Sequence, residues 1–91
     1  MKIRIKTLKF DATEKLEAFV EKKVERLSKF FAGAEPEAEV TLTLEKEGKS
    51  AKLQAAGQII ERTADTFENA VTACVDAMKE ALTRAKEKQA E

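Results

Sequence analysis

The stretch EAEVTLTLEKEGKSAKLQAA, residues 37–56, decides the fold class. Val40, Leu42 and Leu44 alternate with Thr41, Thr43 and Glu45; beyond EKEGKS (45–50), Ala51, Leu53 and Ala55 alternate with Lys52 and Gln54. A period of two sends successive side chains to opposite faces, so both runs read as half-buried strands. The reversal at Gly48 joins them as a hairpin. One face of this hairpin is apolar and has to be covered by something else in the chain.

Downstream, GQIIERTA (57–64) reads as a further short strand with Gly57 at its turn. Ile59 and Ile60 are adjacent, so they point to opposite faces and the run leaves open which of them is inward. DTFE (65–68) then opens a helix at about Thr66, with Asp65 at the cap and Glu68 three residues on. Phe67, Ala70, Val71, Cys74, Ala77, Met78, Ala81, Leu82 and Ala85 share one face at helical spacing.

Upstream, residues 2–8 read as a strand, with Ile3 and Ile5 on one side and Lys2, Arg4 and Lys6 on the other. DATE (11–14) repeats the cap pattern, placing a helix start at Asp11 with Glu14 in support. Leu16, Phe19, Val20, Val24, Leu27 and Phe31 form its apolar stripe, and Gly33 and Pro36 close it. The order is β-α-β-β-β-α. Two one-sided helices and a one-sided sheet make an α+β two-layer sandwich, a four-stranded sheet with both helices on one face. The crossover sets the first two strands parallel and an antiparallel meander follows. The uncovered face is expected to carry Lys2, Arg4, Lys6, Thr41, Thr43, Lys52 and Gln54.

Ninety-one residues fit one domain, 1–91, near the lower size limit for folding without staples. No histidine is present, which removes the usual general base and the usual zinc ligand, and the lone Cys74 forms no internal disulfide. On an apolar helix face Cys74 reads as a small core residue. Neither an enzyme activity, a metal, a cofactor nor a small-molecule substrate is expected. No apolar run reaches the ~20 residues needed to cross a bilayer, and the N-terminus lacks a signal-peptide core, so no membrane partner and a cytoplasmic location are expected. Seventeen Lys and Arg balance seventeen Asp and Glu. The balance is uneven along the chain: residues 1–10 hold Lys2, Arg4, Lys6 and Lys9 without an acid, while residues 35–49 hold five glutamates against two lysines. A neutral chain with segregated charge can still present a positive face.

Three segments, FDATEKLEAFVEKKVERLSKFF (10–31), EAEVTLTLEKEGK (37–49) and ADTFENAVTACVDAMKEALTRAKEK (64–88), resemble the ribosome hibernation promoting factor family, also known as ribosome-associated inhibitors or sigma-54 modulation proteins. The resemblance runs over about residues 1–88 in the same element order and is to the short form of the family, with a dsRBD-like layout. It implies a non-enzymatic protein that binds the small ribosomal subunit in the mRNA/tRNA channel and inhibits translation in idle ribosomes. The implied partner is small-subunit rRNA, with a protein that is monomeric off the ribosome. Carried onto this chain, the family's RNA-binding positions fall on Lys22, Lys23, Arg26 and Lys29 of the first helix and on Arg84 and Lys86 of the second, with Lys79 and Lys88 secondary. The chain departs from the family pattern at Ala85, where an aromatic usually separates two lysines, at Thr72, where an acid is common, in a short hairpin loop, and in its overall neutrality.

The residues themselves support that placement only in part. Lys22, Arg26 and Lys29 share a helix face, and long flexible cations in a row suit phosphate neutralisation. Glu14, Glu17, Glu21 and Glu25 interleave with them, so a solvated face laced with helix ion pairs is the plainer reading of this helix alone. Lys2, Arg4 and Lys6 are better candidates, with threonines rather than acids expected across the sheet and Glu45 as the acid that comes close. Edge-strand lysines also serve to discourage pairing between molecules, and cations at a helix C-terminus favour its dipole without any ligand. All five aromatics are Phe (10, 19, 30, 31 and 67), mostly at core-facing positions, so RNA binding is expected to read backbone and shape. A second reading stays open: an engineered or repurposed scaffold of the same fold without ribosome activity.

Overall fold

The computed structural model describes residues 2–30, 37–55 and 57–89, with side chains in the last helix as far as Arg84. Strand β1 (Lys2–Leu8) leads into helix α1 (Glu14–Glu25), which tightens into a 3-10 turn over Arg26–Phe30. Strands β2 (Glu37–Glu45), β3 (Gly48–Ala55) and β4 (Gln58–Ala64) follow, and helix α2 (Phe67–Gln89) completes the chain. The four strands lie in the order β1-β2-β3-β4, with β1 parallel to β2 and the remaining pairs antiparallel. This is the β-α-β-β-β-α sandwich the alternation and stripes call for.

Strand alternation sets the core. Ala38, Val40 and Leu42 of β2 and Ala51, Leu53 and Ala55 of β3 are buried on one face, against Val20, Val24 and Leu27 from the first helical segment and Phe67, Ala70, Val71, Cys74, Val75 and Met78 from α2. Cys74 sits inside that layer as expected, its Sγ–H donating to the Ala51 carbonyl at 3.1 Å, and burial pushes its thiol pKa up. The ambiguous pair resolves with Ile60 packed against the core and Ile59 58% exposed on the open face. Ile60 pairs with Leu53 and Ile59 with Gln54, so the hairpin's pleat dictates the choice.

Both helix starts are later than the acidic residues suggest. The N-cap of α1 is Thr13, whose Oγ1 accepts from the Leu16 amide at 3.1 Å, and α2 begins after Thr66, whose Oγ1 accepts from the Asn69 amide at 3.0 Å. A threonine hydroxyl reaches the third helical N–H directly, leaving the carboxylates of Asp11 and Asp65 outside the cap position. The first helix also ends sooner as an α-helix than its stripe implies, because the 3-10 turn takes over at Arg26. Its proposed end at Phe31, Gly33 and Pro36 lies outside the described residues.

Asp65 braces α2 in another way: its Oδ1 accepts from Asn69 Nδ2 at 3.0 Å, and its own carbonyl accepts from Lys49 Nζ at 3.3 Å. The Asn69 hydrogen bond, followed by backbone amides, holds the Asp65 carboxyl below the usual value of 3.8. A depressed folded pKa means that the ionised form stabilises the fold above the unfolded value, and that this stabilisation is lost as pH falls through the folded pKa. Asp65→Asn is expected to flatten the acid-side loss of stability below about pH 4 and to leave its shape at neutral pH unchanged, read from thermal melts across pH.

Two backbone positions are tightly specified. Gly48 opens β3 where a Cβ would stand 3.0 Å from the Ala64 carbonyl oxygen and 3.1 Å from Thr63 Cγ2, so any larger residue would press on β4 by a few tenths of an ångström. Lys9 carries a left-handed φ of 69°, strained for a side-chain-bearing residue, as the chain leaves β1. The turn it makes delivers Phe10 onto Phe67, with ring centroids 4.3 Å apart and planes within 10°. This stack ties the connection between β1 and α1 to the start of α2.

Candidate nucleic-acid interface

The positive surface of this molecule is assembled between the helices. In the 3-10 turn, side chains three residues apart eclipse one another. Leu27 and Phe30 therefore form one row facing α2, while Arg26 and Lys29 form another along the rim, continuing Lys23 one α-helical turn before. On α2, Thr72, Val75, Asp76 and Lys79 recur at steps of three and four on a single face. Together these residues line a groove of about 390 Å³. Leu27 and Val75 are buried in it, Phe30 is half-buried, and Lys23, Arg26, Lys29 and Lys79 surround it with Asp76 as the acid among the described lining residues.

Three of these cations rest on aromatic rings. Lys23 Nζ lies 5.7 Å from the centroid of Phe19, and the ammoniums of Lys29 and Lys79 lie 5.5 and 5.9 Å from the centroid of Phe30. Phe30 is the residue sequence reasoning did not assign to a functional surface. Its position three after Leu27 and beside Lys29 is plain in the sequence, but a stripe read at helical period runs from Leu27 to Phe31 and passes over Phe30. What revealed it is the change of pitch at Arg26.

The remaining basic positions are placed differently. Lys22 is exposed on α1 next to Lys23 but outside the groove lining. Arg84 is exposed and engaged along its own helix, its Nη2 donating to Glu80 Oε1 at 2.6 Å. Lys86 and Lys88 fall within the backbone span of α2, and their side chains lie outside the described residues.

The strand cations have acidic neighbours other than the expected Glu45, where cross-strand threonines were expected. Parallel pairing sets Lys2 beside Glu37 and Arg4 beside Glu39, and Lys6 Nζ forms a 3.3 Å ion pair with Glu39 Oε1. Thr41 is the register partner of Lys6, so one threonine stands where it was expected; Glu45 pairs with Gly48 at the far end of β2. The reason is the register of the crossover, which brings the acidic start of β2, not its threonine-rich middle, alongside the first two cations. A shallow hollow of about 220 Å³ on this face is lined by Lys2, Arg4, Glu37 and Glu39 among others, an electrically balanced wall. Of the two basic surfaces, the inter-helix groove carries the larger excess of positive charge.

Among the described residues no cluster of three or more His, Cys, Asp or Glu is placed to hold a metal ion, and no helix is long and apolar enough to cross a membrane. The arrangement suits the binding of an anionic polymer.

Comparison with known proteins agrees with the fold. No curated protein sequence matches the chain. Among solved structures, the N-terminal domain of Thermus thermophilus Protein Y superposes with a TM-score of 0.79 at 25% identity, covering 92% of this chain and 98% of that one. A ribosomal subunit interface protein from Coxiella burnetii gives a TM-score of 0.74 at 19% identity, covering 96% of this chain and 99% of the other. The family model described as sigma 54 modulation protein / S30EA ribosomal protein matches residues 3–90, which is the whole two-layer sandwich from β1 to α2, and the chain belongs to that family.

Proposed function

We propose that this protein binds the small ribosomal subunit in the channel used by mRNA and tRNA, holds idle ribosomes out of translation, and does so by binding, without catalysis. The contacts run from the groove cations Lys23, Arg26, Lys29 and Lys79 to rRNA phosphates, with Lys22, Arg84, Lys86 and Lys88 extending the track and Lys2, Arg4 and Lys6 contributing less. It acts in the cytoplasm as a single 1–91 unit, monomeric off the ribosome. Membership of a ribosomal protein family supports the partner. The observation that carries the reading is the convergence of four cations from two helices on one groove in a chain whose formal net charge is zero.

Cations arranged on a groove release counterions when they meet phosphates, so affinity falls with salt by a log–log slope of about −0.7 to −0.9 per phosphate neutralised. Co-sedimentation with purified small subunits is expected at low salt, weakening with a slope of about −3 or steeper as salt is raised. Absence of co-sedimentation at low salt would leave a scaffold of the family fold without ribosome activity.

A further inference from the structure

Lys29 and Lys79 come from different helical segments, yet their ammoniums both lie within 6 Å of the Phe30 centroid. Each ammonium ends a long flexible stem, and exposed lysines ordinarily swing free into water. The negative face of an aromatic ring opposes that tendency. The surroundings of Phe30 suit it to hold both. The ring is half-buried, anchored beside buried Leu27 and Val75 in the groove, and it follows Lys29 directly in the chain. The 3-10 turn aims it at α2 where a continued α-helix would rotate it away.

From this geometry we infer that Phe30 is a positioning residue that holds Lys29 and Lys79 as a two-armed clamp for a single RNA phosphodiester. The inference rests on the rRNA-binding reading of the groove and deepens it. A phosphodiester offers two non-bridging oxygens, one for each ammonium, and the ring holds the arms together before the anion arrives. Holding them beforehand removes part of the rotamer entropy that two long side chains lose on binding. On arrival the phosphate replaces the ring as counter-charge, and the ring remains as the apolar floor beneath it. An acidic peptide would present its carboxylates at side-chain spacing, not as two oxygens on one centre, and it is the competing occupant in the test.

The test compares wild type with Phe30→Leu, which keeps apolar volume and removes the ring, and Phe30→Tyr, which restores the ring. NMR of the free protein reads the clamp itself: the side-chain CH2 protons nearest the ammoniums of Lys29 and Lys79 are expected to be ring-shifted upfield in wild type and Phe30→Tyr and to return to ordinary positions in Phe30→Leu. Titration with a short single-stranded oligoribonucleotide, with inorganic phosphate and with a poly-glutamate peptide then reads the ligand. The expected result is an oligoribonucleotide affinity lower by about three- to tenfold in Phe30→Leu, restored in Phe30→Tyr, with Lys79→Ala costing little more on the Phe30→Leu background than Phe30→Leu alone. Inorganic phosphate is expected to perturb the same two lysine signals more weakly, and poly-glutamate to perturb them without preference for the ring. Ordinary lysine shifts in wild type, fully additive losses for Phe30→Leu and Lys79→Ala, or poly-glutamate showing the same dependence on the ring as the oligoribonucleotide would each overturn the inference. Failure of the wild-type protein to sediment with small subunits would instead remove the ribosomal partner, and the lysine signals would still decide the clamp.

Discussion

Lys23→Glu combined with Lys79→Glu is expected to lower affinity for the small ribosomal subunit by about a hundredfold at low salt. These lysines stand on opposite walls of the groove, one on α1 and one on α2. Each reversal removes an attraction to nearby phosphate and adds a repulsion of similar size. Partly screened charges of this kind are worth about 0.5–1 kcal/mol each, so four such changes sum to a few kcal/mol, and 1.4 kcal/mol is a factor of ten. The salt dependence should become shallower as well, by about 1.4 to 1.8 in log–log slope for two lost phosphate contacts. The matched control is Lys2→Ala with Lys6→Ala on β1. Lys6 is already engaged with Glu39 and Lys2 is paired in register with Glu37, so this double variant is expected to stay within about threefold of wild type. Both measurements come from co-sedimentation over a salt series, with thermal melts to establish that each variant folds. A ranking in which the strand variant loses more than the groove variant would move the proposed RNA contact to the open side of the sheet.

Leu53→Ala is expected to destabilise the fold by about 2–5 kcal/mol, a large fraction of the ~5–15 kcal/mol that holds small domains together. Leu53 is 1% exposed in the middle of β3, between β2 and β4, inside the core cluster that α2 helps to build. Ile59 supplies the contrast. It is the larger part of the apolar surface left on β4, yet at 58% exposure it touches water on most of its side chain, and Ile59→Thr is expected to change stability by no more than about 0.5 kcal/mol. Chemical denaturation of the two variants measures both numbers. Similar losses at the two sites would mean that Ile59 is covered in solution, by a second copy or by another part of the chain.

The sequence made the layer architecture legible because each element carries its burial pattern locally. Val40, Leu42, Leu53 and Ala55 alternate without interruption, and Val20, Val24 and Leu27 step along one helical stripe, so each element declares its buried side with no knowledge of the others. The Ile59–Ile60 choice was not legible, because adjacent apolar residues give period two no preference; the register against Leu53 and Gln54 makes it. The candidate site was only half legible. Lys23, Arg26, Lys29 and Lys79 could be named, but their convergence depends on how α1 packs against α2 and on the tightening at Arg26, neither of which is written in the spacing of charges. The acids opposite β1 were missed for a related reason. A parallel crossover takes its register from helix packing, and a slip of four residues, which keeps every side chain on its own face, exchanges Glu37 and Glu39 for Thr41 and Thr43 as neighbours of the first cations.

Cys74, whose Sγ–H donates to the Ala51 carbonyl beneath α2, gives this molecule a built-in clock for its own opening. A thiol-specific reagent added to the native protein can react only when α2 lifts from β3. The modification rate, divided by that of the same thiol in denaturant, therefore returns the free energy of the least costly motion that exposes the sulfur. Run with and without ribosomes, that single-atom stopwatch would weigh how much the bound state quiets the layer on which the cationic groove is built.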